Sequence, residues 1–99
     1  MKFRILDAEL LRMFSNEEYV CRRYDRSVHR AFRKVMGLII AVTDQSHLYQ
    51  FRGLRLEKLA GDRAGQHSVR LNDQFRLILR FESEKNGACA VIIEIVDYH

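Results

Sequence analysis

The chain has 99 residues, 47% apolar and 30% charged, with 17 Lys and Arg against 13 Asp and Glu for a net charge of +4. These values exclude a disordered chain and bound the protein to one soluble globular domain, able to hold a core and a shallow site but not a deep pocket. No run approaches the ~20 apolar residues of a membrane span, no secretory h-region follows the first residues, and Cys21 and Cys89 lack a metal spacing, so a cytoplasmic protein with structural thiols and no membrane partner is expected.

From the N-terminus, "KFRI" alternates Phe3 and Ile5 with Lys2 and Arg4 and predicts a short strand. Asp7 can cap a first helix whose apolar side is Leu10, Leu11 and Phe14. "SNEE" has the capping-box form, with Glu18 three residues after Ser15, and opens a helical pattern running to about residue 46. Within it Val28, Ala31, Phe32, Val35, Ile39 and Val42 recur at steps of three and four as a buried stripe. Arg22, Arg26, Arg30 and Arg33 form a basic ridge on another side. Ser27 can also cap a fresh start after a break at Asp25-Arg26-Ser27, so residues 16–46 hold either one long helix or two.

After "FRG" the period changes to two, with Leu54 and Leu56 alternating against Arg55 and Glu57. "GDRAG" is a glycine-bounded loop, and "QHSVRLNDQFRLILRF" reads as a hairpin. A three-residue loop at Asn72-Asp73-Gln74 gathers His67, Val69, Leu71, Phe75, Leu77, Leu79 and Phe81 on one face. It leaves Gln66, Ser68, Arg70, Arg76, Ile78 and Arg80 on the other. A two-residue loop mixes the sets, so the odd loop is preferred. "ACAVIIEIV" is apolar on both sides and predicts a central last strand. Helices first and strands after give an α+β domain, its helices on one face of a small twisted antiparallel sheet.

Two arginine-rich clusters, at 22–34 and 52–80, suit phosphate or an acidic protein partner. The chain ends "VDYH", and a central strand can hold Asp97, Tyr98 and His99 firmly enough for acid–base work. With an unperturbed pKa near 6.5, His99 suits proton transfer, Arg76 suits phosphate charge, and Glu57 and Asp97 can act as base or orient an imidazole. RNA cleavage by its own 2′-hydroxyl needs little more. Taken alone, these residues favour a nucleic-acid or acidic-protein binding module over a ribonuclease, because a terminal "DYH" is more often a solvated end. His67 reads as a satisfied core or boundary histidine, and His29 and His47 as surface residues.

"RLEKLAGDRAGQHSVRLNDQFRLILRF" followed by "IIEIVDYH" resembles the HigB group of the RelE/ParE toxin superfamily, over roughly residues 54–99. The resemblance implies a microbial-ribonuclease type fold. It implies a metal-independent endoribonuclease without cofactor, an mRNA interferase cutting mRNA on the ribosome. It also implies a HigA-type helix-turn-helix antitoxin, with operator DNA bound only through the toxin–antitoxin complex. The matching catalytic residues are Asp97, Tyr98, His99 and Arg76; from the residues themselves, Glu57 is a further catalytic candidate and Arg55, Lys58, Arg63, Arg70 and Arg80 are expected to bind RNA. Some relatives carry "HPLKG" where this chain has "EKLAG", so their catalytic histidine and lysine fall at Glu57 and Ala60, while another branch shares "RLE". Lys58, Arg63 and Arg55 are the candidates to replace that lysine. The alternative function is that of a non-catalytic ParE-like toxin that binds and inhibits DNA gyrase.

Overall fold

The computed structural model describes residues 1–98, so His99 and the catalytic role expected of it lie outside the described residues. The elements are β1 (Lys2–Ile5), α1 (Ala8–Ser15), α2 (Arg26–Ala41), α3 (Gln45–Leu48), β2 (Glu57–Lys58), β3 (His67–Arg70), β4 (Phe75–Glu84) and β5 (Gly87–Asp97). Single 3-10 turns occupy Arg52–Leu54 and Gly61–Arg63. The strands form one sheet in the order β1-β5-β4-β3-β2. Phe32, Val35, Met36 and Ile39 of α2 share a core with Val69, Leu77, Leu79, Ala90 and Ile92, so the helices lie on one sheet face. The α+β class is as the sequence predicts. One edge differs: β1 runs parallel to β5, making the sheet mixed. The chain passes through all three helices between these strands, and a crossover of that length permits parallel pairing.

Asp7 caps α1, its Oδ1 accepting from Glu9 N at 2.8 Å and Leu10 N at 3.1 Å. The buried side of α1 is Leu10 and Met13, whereas Leu11 is exposed. The "SNEE" capping box does not form, because Ser15 is the last residue of α1. Asn16 Oδ1 instead accepts from Glu18 N at 2.9 Å, and the chain turns. Arg33 satisfies carbonyls left open there: Nε donates to Met13 O at 3.1 Å, and Nη2 to Asn16 O at 3.2 Å and Glu17 O at 3.0 Å. Residues 16–25 are therefore turns and irregular chain, and neither one helix from residue 16 nor two helices on either side of Asp25 is found: the only long helix of this stretch is α2.

The cap of α2 is Asp25 rather than Ser27. Its Oδ1 accepts from Val28 N at 3.1 Å and from Ser27 Oγ at 2.6 Å. Those bonds hold the Asp25 carboxyl below its ordinary pKa. The basic ridge is correspondingly shorter, since Arg22 precedes α2 and Arg33 binds carbonyls. At the other end of α2 the last turn holds no basic residue. The Met1 ammonium supplies the charge, donating to Ile39 O at 2.9 Å, Ile40 O at 3.0 Å and Val42 O. A cation there complements the helix dipole.

The hairpin has the odd loop. Val69 pairs with Leu77 and Arg70 with Arg76, and Leu71 N donates to Phe75 O at 3.0 Å. Asn72 Oδ1 closes the loop by accepting from Gln74 N at 2.9 Å and Phe75 N at 2.7 Å. Between β4 and β5 the register shifts: Ile78 pairs with Glu94 but Leu79 with Ile92. Ile93 is thus an extra residue, a β-bulge. Ala90 and Ile92 face the helices before it, Ile95 after it, so the even positions of β5 face inward on one side of the bulge and the odd ones on the other.

Candidate active site

Pairing registers place Glu57, Ser68, Arg70, Arg76, Ile78 and Arg80 on the sheet face away from the helices, with Val91, Glu94 and Val96 of β5 and Arg4 of β1. The centre of this face is not open apolar surface, since Ser68, Ile78 and Val91 are buried. Long charged side chains cover it. Glu82 joins Arg4 at 2.6 Å and Arg80 at 3.2 Å, and Arg63 reaches from its 3-10 turn to Glu94 at 3.0 Å and Gln66 Oε1 at 3.0 Å. Arg70 pairs with Asp73.

Arg76 is held differently. Its guanidinium carbon lies 4.8 Å from the centre of the Tyr98 ring, and Nη1 donates to Arg55 O at 3.4 Å. Among the described residues it has no carboxylate partner. A cation on an aromatic face keeps its full charge, while the ring fixes its direction. Arg55 itself sits at φ 48°, in the left-handed region that few residues other than glycine adopt. Gln74 anchors the end of β5, its carbonyl accepting from Tyr98 N at 2.7 Å and its Nε2 donating to Asp97 Oδ2 at 3.0 Å.

A family model described as "RelE-like toxin of type II toxin-antitoxin system HigB" matches residues 3–99. The chain belongs to the HigB-like toxin family. It is similar in structure to a "YoeB/ParE toxin from Agrobacterium tumefaciens", with a TM-score of 0.61 at 17% identity and all of both chains covered, a likeness of fold. No curated protein matches. Membership makes the protein a toxin of a type II pair with a cognate antitoxin. No helix among the described residues is long and apolar enough to cross a membrane.

In this HigB-like toxin, the residues singled out in the sequence divide between two faces. Tyr98 and Arg76 are in contact, and Glu57 shares their face from two strands away, roughly 10 Å at ordinary strand spacing. Asp97 pairs with Phe75 and so projects to the other side of β5, toward Gln74. Lys58 pairs with His67 and likewise turns from Glu57's face. Arg63, Arg70 and Arg80 lie on the face with carboxylate partners, and Arg55 borders it. His67 is not satisfied: it is 8% exposed, packs edge-on against Phe81 at 5.0 Å, and neither ring nitrogen has a hydrogen-bond partner among the described residues. Burial, with Lys58 adding to it, lowers its pKa. Gln74 and the Arg55 carbonyl were invisible as site residues. Gln74 reads only as loop, and a backbone carbonyl leaves no mark in sequence.

Proposed function

We propose that this toxin is a ribosome-dependent mRNA endoribonuclease acting in the cytoplasm. It needs no metal, arrests growth, and is neutralised by a HigA-type antitoxin. The observation that carries the reading is Arg76, a cation without a described carboxylate partner, aimed by an aromatic ring on a rigid sheet. A phosphate passing through a pentacovalent state gains negative charge, and a fixed guanidinium stabilises that charge with little reorganisation. In this reading Glu57 takes the proton of the 2′-hydroxyl. The freed oxygen attacks the adjacent phosphorus, and the bond to the 5′-oxygen breaks. His99, or Tyr98 beside Arg76, returns a proton to that leaving oxygen, giving a cyclic phosphate and a 5′-hydroxyl.

Glu57 suits the base role better than Asp97, because the strand register puts it on Arg76's face. Asp97 serves by holding the strand end. Arg63 takes the part of the lysine that relatives carry at position 60, reaching the same face from the following turn. Arg55, Arg70 and Arg80 guide the RNA backbone by charge, and Lys58 extends the basic edge. The test is to add the protein to a translating extract, map mRNA ends, and run a gyrase supercoiling assay alongside. New ends that appear only on translated messages are expected. Intact mRNA with blocked supercoiling would replace this reading with gyrase inhibition.

A further inference from the structure

We propose that the groove between α2 and residues 51–54 seats the cognate antitoxin, through a segment bearing apolar side chains on one side and carboxylates beside them. The proposal rests on the toxin reading above and names where its partner binds. The groove has a volume of about 430 Å³. Val35 and Leu38 of α2 form one wall, Leu54 and Leu71 the floor, and Phe51 the lip. Phe51 is 42% exposed, a large apolar ring left in water beside a concave apolar surface.

The rim is cationic, with Lys34 on one side and Arg70 on the other. Lys34 has no ion-pair partner among the described residues, and Arg70's partner Asp73 is almost fully exposed. Apolar floor and basic rim together fit a protein segment of apolar residues flanked by acids. An RNA backbone would satisfy the cations and leave Phe51 and Leu38 wet. The groove also meets the candidate active site, because Arg70 is the cross-strand neighbour of Arg76. A segment filling it therefore ends beside the catalytic arginine. An antitoxin bound mainly on the helical side would then obstruct RNA without covering the whole sheet.

The experiment uses toxin co-purified with its cognate antitoxin, and compares wild type with Phe51→Asp and Lys34→Glu. Each variant is expected to bind the antitoxin about tenfold more weakly or worse, and to arrest growth despite antitoxin co-expression. Its mRNA cleavage should be unchanged. Lys34 is exposed on α2, so its variant keeps the test intact if Phe51→Asp fails to fold. Unchanged antitoxin affinity in the folded variants would overturn the proposal. Reduced cleavage with unchanged affinity would also overturn it and assign the groove to RNA. Wild-type toxin that binds antitoxin yet cuts no mRNA would sink the ribonuclease reading alone, and the variants' affinities would still decide the groove.

Discussion

Arg76 is distinguished less by position than by company. Its neighbours on the sheet face are bound to Glu82, Glu94 or Asp73, while its own contacts are a ring and a carbonyl. Replacing Arg76 with Ala should abolish growth arrest and cleavage with the circular dichroism spectrum intact; cleavage that survived would move the catalytic cation elsewhere. Tyr98→Phe keeps the ring beneath the guanidinium and removes only the hydroxyl. If the tyrosine merely aims Arg76, that variant should cut mRNA at near wild-type rate, whereas Tyr98→Ala should lose most of the activity. A Phe variant as inactive as the Ala variant would give the hydroxyl a chemical role. Arg55→Gly separates side chain from backbone in the same way. It suits φ 48° better than arginine does and leaves the carbonyl in place, so stability should rise by a few tenths of a kcal/mol in denaturant titration. A loss of stability would mean that the exposed side chain contributes to the fold.

The hairpin was legible because two apolar faces of opposite phase leave one loop length that keeps both intact. The α2 stripe was legible for the corresponding reason at helical period. The stretch 16–25 was not, since its capping-box pattern competes with Arg33, a residue distant in sequence that takes the carbonyls of the preceding turn. That Asp97 and Tyr98 point to opposite sides follows from strand alternation, but which of them meets Arg76 was not legible, because the bulge at Ile93 sits within a run of apolar residues that shows no alternation. The cap on α2 was likewise hidden, being made by the chain's first amino group. Placing a residue ahead of Met1 would turn that ammonium into an amide and remove the cation from the helix end. Such a variant should lose ~1 kcal/mol in denaturant titration, and an unchanged midpoint would show the contact to be dispensable.

The molecule as a whole carries an excess of positive charge and two buried imidazoles: His29, buried rather than at the surface as its sequence position suggested, accepts from Cys21 N at 2.9 Å, while His67 has no hydrogen-bond partner among the described residues. His67 has its pKa lowered by burial, first, and by Lys58. A group that resists protonation when folded but not when unfolded weakens the native state in acid. Its contribution is intact above about pH 6.5, the ordinary histidine value, and is lost as pH falls below it. His67→Leu should flatten the fall in unfolding free energy between neutral pH and about pH 5, and parallel curves for both proteins would assign the acid sensitivity to other groups. The bulge in β5 acts at this largest scale too. One unpaired residue lets the first half of the strand and the last half obey opposite parity, so the core and the Arg76 face are each served by a strand that a regular ladder of the same residues would put out of step. The length of β5 is therefore a digital variable rather than a gradual one. Removing Ile93 would restore simple alternation and leave Glu94 opposite Ile78 and Val96 opposite Arg76, so Tyr98 would keep its place, whereas one residue inserted between Glu94 and Asp97 would carry Tyr98 toward the helices and turn Asp97 to Arg76, exchanging an aromatic platform for a carboxylate. A single added codon would set an acid beside an arginine that has no carboxylate partner among the described residues.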